Sequence, residues 1–398
     1  MTHGRAFRVL FLCLVCIGLG QSMLFAILPP AARALGLSPF RISTIFAASA
    51  SIWVFVSPWW GRRSDVWGRR PVILIGLLGF GLSMALLATT IQLGAAGALP
   101  ALAVYPLLVA SRCVFALVGS GTGPASQAYI AERTGPAERA AGLAMVSAAV
   151  GLGETLGPAL GAALATLGLV APIYCVAALA AASALGIWFQ LPEEGPPHAA
   201  RAEPPRRIGY ADRRVAPFLA IVAALQAVRA TTVITFALFL QDSFALTAAQ
   251  AAQRAGMGFV ALAASGLVAQ LLLVQRLRPT ARAMILWGVP LVLLAFVLLV
   301  AATNLWMTLG ALATLGLGLG LVRPGSAAGA SLAVRADEQG AVAGLLGGLS
   351  VLGNVFGPML GTTLYALSPR APYLLNAAIM TVVLVGVVAT RRIRGMRS

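Results

Sequence analysis

Charge is what this chain has least of: 10% of its 398 residues are charged, where a typical soluble domain has about a quarter. So few charges cannot clothe a protein of this length in a water-facing surface. Lysine is absent, so all 28 basic residues are arginine, and the acids number 11. Histidine occurs only as His3 and His198, both in polar segments, which argues against a zinc site. The four cysteines, Cys13, Cys16, Cys113 and Cys175, fall inside apolar runs. Cys13 and Cys16 have CxxC spacing, but without further ligands or a redox fold around them they read as small buried hydrophobes. The glycine-rich stretches lack the lysine of a phosphate-binding loop, which excludes a nucleotide-driven pump. Neither a cofactor nor an enzyme's nucleophile and base is marked.

Apolar residues make up 60% of the chain. Val9–Leu28, Ile73–Thr89 and Ile285–Thr303 are nearly free of charge, and about 20 such residues cross a hydrocarbon core of roughly 30 Å as a helix. The first run, between MTHGRAFR and PPAARALG, has the look of a signal peptide, but the many similar runs behind it make it a first membrane span. Turn and charge clusters divide the chain into twelve spans, at 7–29, 41–60, 72–93, 101–124, 140–167, 170–190, 216–240, 251–273, 283–303, 305–328, 340–365 and 371–390. The expected fold is an all-α membrane protein of twelve transmembrane helices in two pseudo-twofold six-helix halves, 1–190 and 216–398. A Pro- and charge-rich linker at 191–215 joins them.

With the N-terminus in the cytoplasm, 21 arginines fall in cytoplasmic segments. Four (Arg33, Arg41, Arg254, Arg370) fall outside, and three (Arg112, Arg229, Arg323) within spans. That is the positive-inside bias, and it puts both termini in the cytoplasm. The net charge of +17 is dealt out loop by loop, so it calls for no nucleic-acid partner.

The halves repeat. Residues 152–161, LGETLGPALG, return as LGNVFGPMLG at 352–361, and at the same offset Pro124, Ser126, Glu138, Leu164, Leu167, Ala171 and Pro172 also match. Two six-span halves in parallel repeat imply a substrate path between them. Gly153, Gly157 and Gly161 recur every fourth residue, as do Gly353, Gly357 and Gly361, a spacing that lets helix backbones approach closely. Pro158 and Pro358 bend their helices. The expectation is a tight helix seam between the halves.

The loop GRRSDVWGRRP at 61–71 resembles the signature loop of the major facilitator superfamily, with Gly61, Asp65, Gly68, Arg69 and Arg70 in register. Arg63 stands where that pattern usually has leucine. The Gly-Pro block in span five and AYIAERTGPAERA at 128–140 are similar to the superfamily's drug/proton antiporters. The resemblance implies a cytoplasmic gate in which Asp65 faces the start of the eleventh span, near Gly340, where a helix dipole favours an anion. QRLRPTARA at 275–283 has neither the Asp nor the Gly, so the gate is expected on one side only. Arg112 and Leu108 match the family's fourth-span motif, although Phe115 and Ala116 replace its usual Gln and Gly. Tetracycline exporters of the family carry acids in spans one and nine and a histidine in span eight. This chain has none of these, so tetracycline–metal exchange is not expected.

Ionisable residues inside a membrane are costly and mark function. Glu154 is the one acid well inside a span, about 18 Å from the span's start, on a face shared with Gly157, Pro158 and Gly161. Arg112 and Arg229 reach similar depth, and Asp242 belongs at the outer end of span seven. Glu154 with Arg112 is the expected proton-coupling pair. Gln21, Arg112, Gln226, Arg229 and Asn354 are the candidate cavity residues, and Arg323, Gln270 and Asn376 are further polar span residues. The reading is a monomeric, proton-coupled exporter of a small organic molecule, acidic, zwitterionic or drug-like, in a bacterial cytoplasmic membrane. Its alternatives are a proton symporter that imports a metabolite and a non-transporting membrane receptor or assembly factor.

Overall fold

The computed structural model describes residues 2–134, 136–192, 209–210, 212–335 and 338–389. Side chains at 2–4, 136–144 and a scatter of positions within 147–166 and 340–355 fall outside that description. Most of the linker at 191–215 also lies outside it.

Long helices follow the twelve expected spans. They are α1 (Thr2–Ala34), α2 (Pro39–Trp67), α3 (Arg69–Ala95), α4 (Ala101–Arg133), α5 (Pro136–Leu164) and α6 (Ala171–Gln190), then α7 (Ala216–Ser243), α8 (Ala248–Leu277), α9 (Ala281–Ala301), α10 (Leu305–Leu332), α11 (Gln339–Leu367) and α12 (Ala371–Ala389). Ten of them are long and apolar enough among the described residues to cross a membrane.

Local chemistry sets the boundaries. Ser38 caps α2 by accepting from the Arg41 amide, with Pro39 at the first helical position. Thr280 caps α9 and Asn304 caps α10 in the same way. Between α2 and α3 the chain turns on Gly68 alone, at φ +93°, a backbone region that a side chain disfavours. The signature loop's second glycine is therefore there for its backbone.

Two helices change pitch part-way. α4 tightens to a 3₁₀ turn at Gly119–Gly121, and α8 widens to a π segment at Ala269–Val274. In α4 Pro124 offers no amide to the Ser120 carbonyl, and the Ser57 hydroxyl donates to it instead at 3.3 Å. Trp60 Nε1 donates to the Leu117 carbonyl at 2.7 Å. With no water in the hydrocarbon, such substitutes are required.

The chain divides into two compact units, Met1–Ala200 with Leu246–Gly256, and Arg201–Ala245 with Met257–Ser398. The grouping of Leu246–Gly256 with the first unit is not foreshadowed by the sequence boundary at the linker. Within the first unit α1 packs on α5 and α6, and α3 on α4 and α6. Within the second, α7 packs on α11 and α12, and α9 on α10 and α12. The sequence repeat is thus also a repeat of packing.

Candidate functional site

The glycine seam comes first, because it fixes where Glu154 points. A Cβ on Gly153 would lie 2.2 Å from the Val15 carbonyl oxygen of α1, and one on Gly157 would lie 2.4 Å from that of Leu19. α1 answers with its own glycine: a Cβ on Gly18 would lie 2.4 Å from the Val150 carbonyl oxygen and 3.2 Å from the Glu154 amide. In the second unit Gly353, Gly357 and Gly361 meet Gln226, Ala230 and Thr231 of α7. Each Gly-Pro block therefore presses its helix onto the first helix of its own half. This corrects the expected seam between halves: the close contact is internal to each, since small residues are needed wherever two backbones nearly touch.

The side chain of Glu154 also departs from expectation. Gly153, Gly157, Pro158 and Gly161 are buried, but Glu154 is exposed beside them and makes no hydrogen bond or ion pair among the described residues. At 100° per residue, the exposed residues Ala148, Leu152, Leu156 and Ala163 cluster within about 80° of arc on α5. Glu154 stands on roughly the opposite side of the helix from that stripe. The apolar stripe suits lipid; the carboxylate faces away from it.

Arg112 on α4 is 4% exposed. Its Nη2 donates to Gln21 Oε1 of α1 at 3.0 Å, and its guanidinium lies 5.9 Å from the Phe46 ring centroid and 5.2 Å from that of Phe115. Nε and Nη1 have no acceptor among the described residues. The structure thus joins two of the expected cavity residues, Gln21 and Arg112. Gly18, which packs on the Glu154 backbone, lies one turn of α1 from Gln21. Phe115, which occupies the place of the family's glutamine, supplies an aromatic wall instead of a hydrogen-bond partner.

The other candidates fare differently. Gln226 is buried in the α7–α11 crossing with its Cβ against Gly353, so it is a packing residue rather than a cavity wall. Arg229 is half-buried on α7, and Arg323 and Gln270 are exposed. Asn376 is buried and donates to the Val228 carbonyl and the Thr232 hydroxyl, pinning α12 to α7. Asp242 accepts from the Tyr365 hydroxyl at 2.5 Å. The side chain of Asn354 lies outside the described residues.

In the signature loop the hub is Arg69. Its Nη2 meets Asp65 at 2.5 Å, its Nε and Nη2 both reach Glu132 Oε1 at the end of α4, at 3.0 and 2.6 Å, and its Nη1 donates to Ser64 at 2.5 Å. The Arg69 side chain is 10% exposed and Glu132 29%, so that pair is partly sheltered from solvent screening, whereas Asp65 is 57% exposed and its pair with Arg69 is a surface one. Arg70 turns away and donates to the Trp188 carbonyl at the end of α6. Glu132 was not singled out by the sequence, although the stretch that contains it was. The signal available was an acid at the end of a span facing the arginine loop.

The second unit has an arginine hub of its own, built from other segments. Arg214, just before α7, donates to both oxygens of Asp212 and to both oxygens of Glu338, at the start of α11. The Arg214 guanidinium, helped by the Arg335 amide, holds the Glu338 carboxyl below its usual range. A depressed carboxylate stabilises the fold above its unfolded pKa and loses that contribution as pH falls through the folded one, so this tie is made at neutral pH and released in acid. This cluster does not copy the signature loop, whose Asp and Gly are missing from 275–283, and a search for loop spacing could not find an arginine at the end of the linker.

Sequence comparison agrees with the fold. The model of the Major Facilitator Superfamily matches residues 10–348 and 219–395. The class C tetracycline resistance protein of Escherichia coli is 31% identical over 340 residues, 81% of this chain and 80% of that protein. Multidrug resistance protein 2 of Bacillus subtilis (strain 168) is 27% identical over 376 residues, 92% of this chain and 90% of its own. Among solved structures, the human organic anion transporter MFSD10 (TETRAN) aligns with a TM-score of 0.63 at 21% identity, over 97% of this chain and 99% of its own. A bacterial homologue of the iron transporter ferroportin in the inward-facing state aligns with a TM-score of 0.74 at 14% identity, over 98% and 99%. The chain is a multi-pass membrane transporter and belongs to the Major Facilitator Superfamily.

Proposed function

We propose that this transporter is a proton-coupled exporter of small organic molecules bearing an acidic group. The observation that carries the reading is the placing of charge in the first unit. Glu154, a carboxylate unpaired among the described residues, lies mid-way along α5 on the side away from the lipid stripe, and a buried arginine, Arg112, has two donor nitrogens, Nε and Nη1, without an acceptor among the described residues. A carboxylate left unpaired at that depth belongs on a water-filled path, because its cost in hydrocarbon is high. Glu154 takes a proton on one side of the membrane and gives it up on the other. Arg112 offers its free donors to a substrate carboxylate, a pairing in which charge-assisted hydrogen bonds are strong. The two sites are linked through α1, which packs Gly18 on the Glu154 backbone and holds Gln21 against Arg112.

Export fits the efflux relatives, the tetracycline and multidrug resistance proteins. An anionic cargo fits the structural neighbour, the human organic anion transporter MFSD10. Tetracycline itself is a poor candidate, since α1 and α9 carry no acid and α8 no histidine. We place both termini and the arginine-rich loops in the cytoplasm.

The test is an efflux screen in cells without their own exporters, followed by reconstitution with the best substrate. An imposed proton gradient is expected to drive the acid uphill, and each 100 mV is worth about 2.3 kcal/mol per charge, roughly fifty-fold in concentration. Uphill import would establish the symporter, and no substrate-dependent flux the receptor. Preference for lipophilic cations would overturn the acidic cargo.

The arginine hub supplies a second expected result. We assign Asp65, Arg69 and Glu132 to the cytoplasmic gate. Asp65→Asn and Glu132→Gln should each abolish most transport, while leaving membrane expression and substrate binding largely intact. Wild-type flux in both variants would reduce the loop to a charge cluster that sets topology.

A further inference from the structure

Arg63 stands where the signature loop's pattern usually has leucine, and the gate does not use it. Its side chain is exposed on α2 and makes no hydrogen bond or ion pair among the described residues. Its guanidinium instead lies 5.9 Å from the Trp59 ring centroid and 4.5 Å from that of Trp67, four residues to either side. Trp59 is 45% and Trp67 43% exposed, and one turn further along the same face Phe55 is 79% exposed. The ladder Phe55, Trp59, Arg63, Trp67 thus runs at every fourth residue along one face, over about 18 Å. Behind it Trp60 is buried and fixed by its bond to the Leu117 carbonyl, and it packs edge-on against both Trp59 and Trp67.

This arrangement has a shape and a sign. The indoles lie over the guanidinium, which leaves its N–H edge as the part that still seeks a partner. The nearby acids are already engaged: Asp65 and Glu132 both serve Arg69. Arg62, also exposed and without a partner among the described residues, adds a second positive charge at the same end of the helix. An oxyanion at the edge of Arg63 with a flexible apolar tail along Trp59 and Phe55 satisfies all of these groups together. Tryptophan and arginine at the water boundary of a span sit at the level of lipid headgroups.

We propose that the face of α2 from Phe55 to Trp67 seats an anionic phospholipid, its phosphate on Arg63 and one acyl chain laid along Trp59 and Phe55. The anionic leaflet that attracts arginine-rich loops supplies this lipid where the ladder ends. The seat differs from the Arg112 site and needs no statement about what is transported.

Native mass spectrometry of the full-length protein in detergent, titrated with phosphatidylglycerol, tests it. Wild type is expected to retain phosphatidylglycerol over phosphatidylethanolamine. Arg63→Leu, which restores the family's usual residue, should weaken phosphatidylglycerol by about fivefold and leave phosphatidylethanolamine unchanged. Arg63→Lys, which keeps charge without the planar edge, should fall between the two. Glycerol 3-phosphate, the headgroup chemistry without a tail, should neither bind measurably nor displace the lipid; displacement by it at similar concentration would assign the seat to a free phosphate and overturn the lipid. Equal retention of phosphatidylglycerol by wild type and a folded Arg63→Leu also overturns it. Thermal unfolding in lipid-free detergent should show both proteins folded, with at most a small loss for Arg63→Leu from its two indole contacts, since the side chain being replaced is exposed and has no hydrogen-bond partner among the described residues.

Discussion

Proteoliposomes carrying Glu154→Gln are expected to exchange the acidic substrate across the membrane but not to accumulate it against a gradient. The amide has the size of the carboxyl and keeps its polarity, so a path lined by α5 stays open. What it loses is the ability to carry a proton. Under a potential of 100 mV the wild-type ratio reaches roughly fifty-fold per coupled charge, and the variant's should collapse to near unity. Because Glu154 is exposed and unpaired among the described residues, the variant removes no ion pair that braces the helix, so its expression and unfolding temperature should match wild type. Normal uphill export with unchanged pH dependence would show that the proton travels elsewhere. Arg112→Gln, by contrast, should raise the substrate KM by at least tenfold and lower flux down the gradient as well, since it withdraws two unsatisfied donors from the anion.

What the sequence disclosed, and what it hid, divides along physical lines. The span count, the repeat and the signature loop were legible because each is a one-dimensional signal: length of apolar run, offset of 200, spacing of Gly61, Asp65, Gly68 and Arg69. The face of a residue was not. Glu154 shares a helical quadrant with Gly157, Pro158 and Gly161, yet they are buried and it is exposed, because the glycine backbones sink into α1 and leave the longer side chain outside the crossing. Partners from distant segments were hidden for the same reason. Neither Arg69 with Glu132 nor Arg214 with Glu338 obeys a local spacing, and Gln21 with Arg112 joins helices 91 residues apart. The repeat itself misled in one respect. Two copies of a glycine motif suggested a seam shared by the two halves, when repetition instead means that the same internal contact was made twice.

Those two copies are not equally tight, and that asymmetry gives the other large effect. At Gly153 an added Cβ meets only backbone: the Val15 oxygen at 2.2 Å, the Leu19 nitrogen at 2.7 Å and the Gly18 carbonyl carbon at 3.0 Å. At its counterpart Gly353 the nearest atom is a side-chain one, the Gln226 Cβ at 2.7 Å, and one turn on, at Gly357, an added Cβ meets the Ala230 Cβ at 2.5 Å and then the Ala227 oxygen only at 3.3 Å. Backbone cannot step aside without moving α1 as a whole, whereas a methyl group can be deleted. Gly153→Ala should therefore cost more than the 1–3 kcal/mol usual for overpacking and sharply reduce folded protein in the membrane. Gly357→Ala should lie within that range. Ala230→Gly should then rescue Gly357→Ala, less about 1 kcal/mol for a second glycine inside a helix. No single truncation on α1 should rescue Gly153→Ala, since its nearest neighbours belong to no side chain. Yield of monodisperse protein and unfolding temperature in detergent, measured for the three variants together, decide the matter. Equal losses at the two glycines, with no rescue by Ala230→Gly, would mean that the helices adjust their separation freely and that the first unit's crossing is not the rigid contact described.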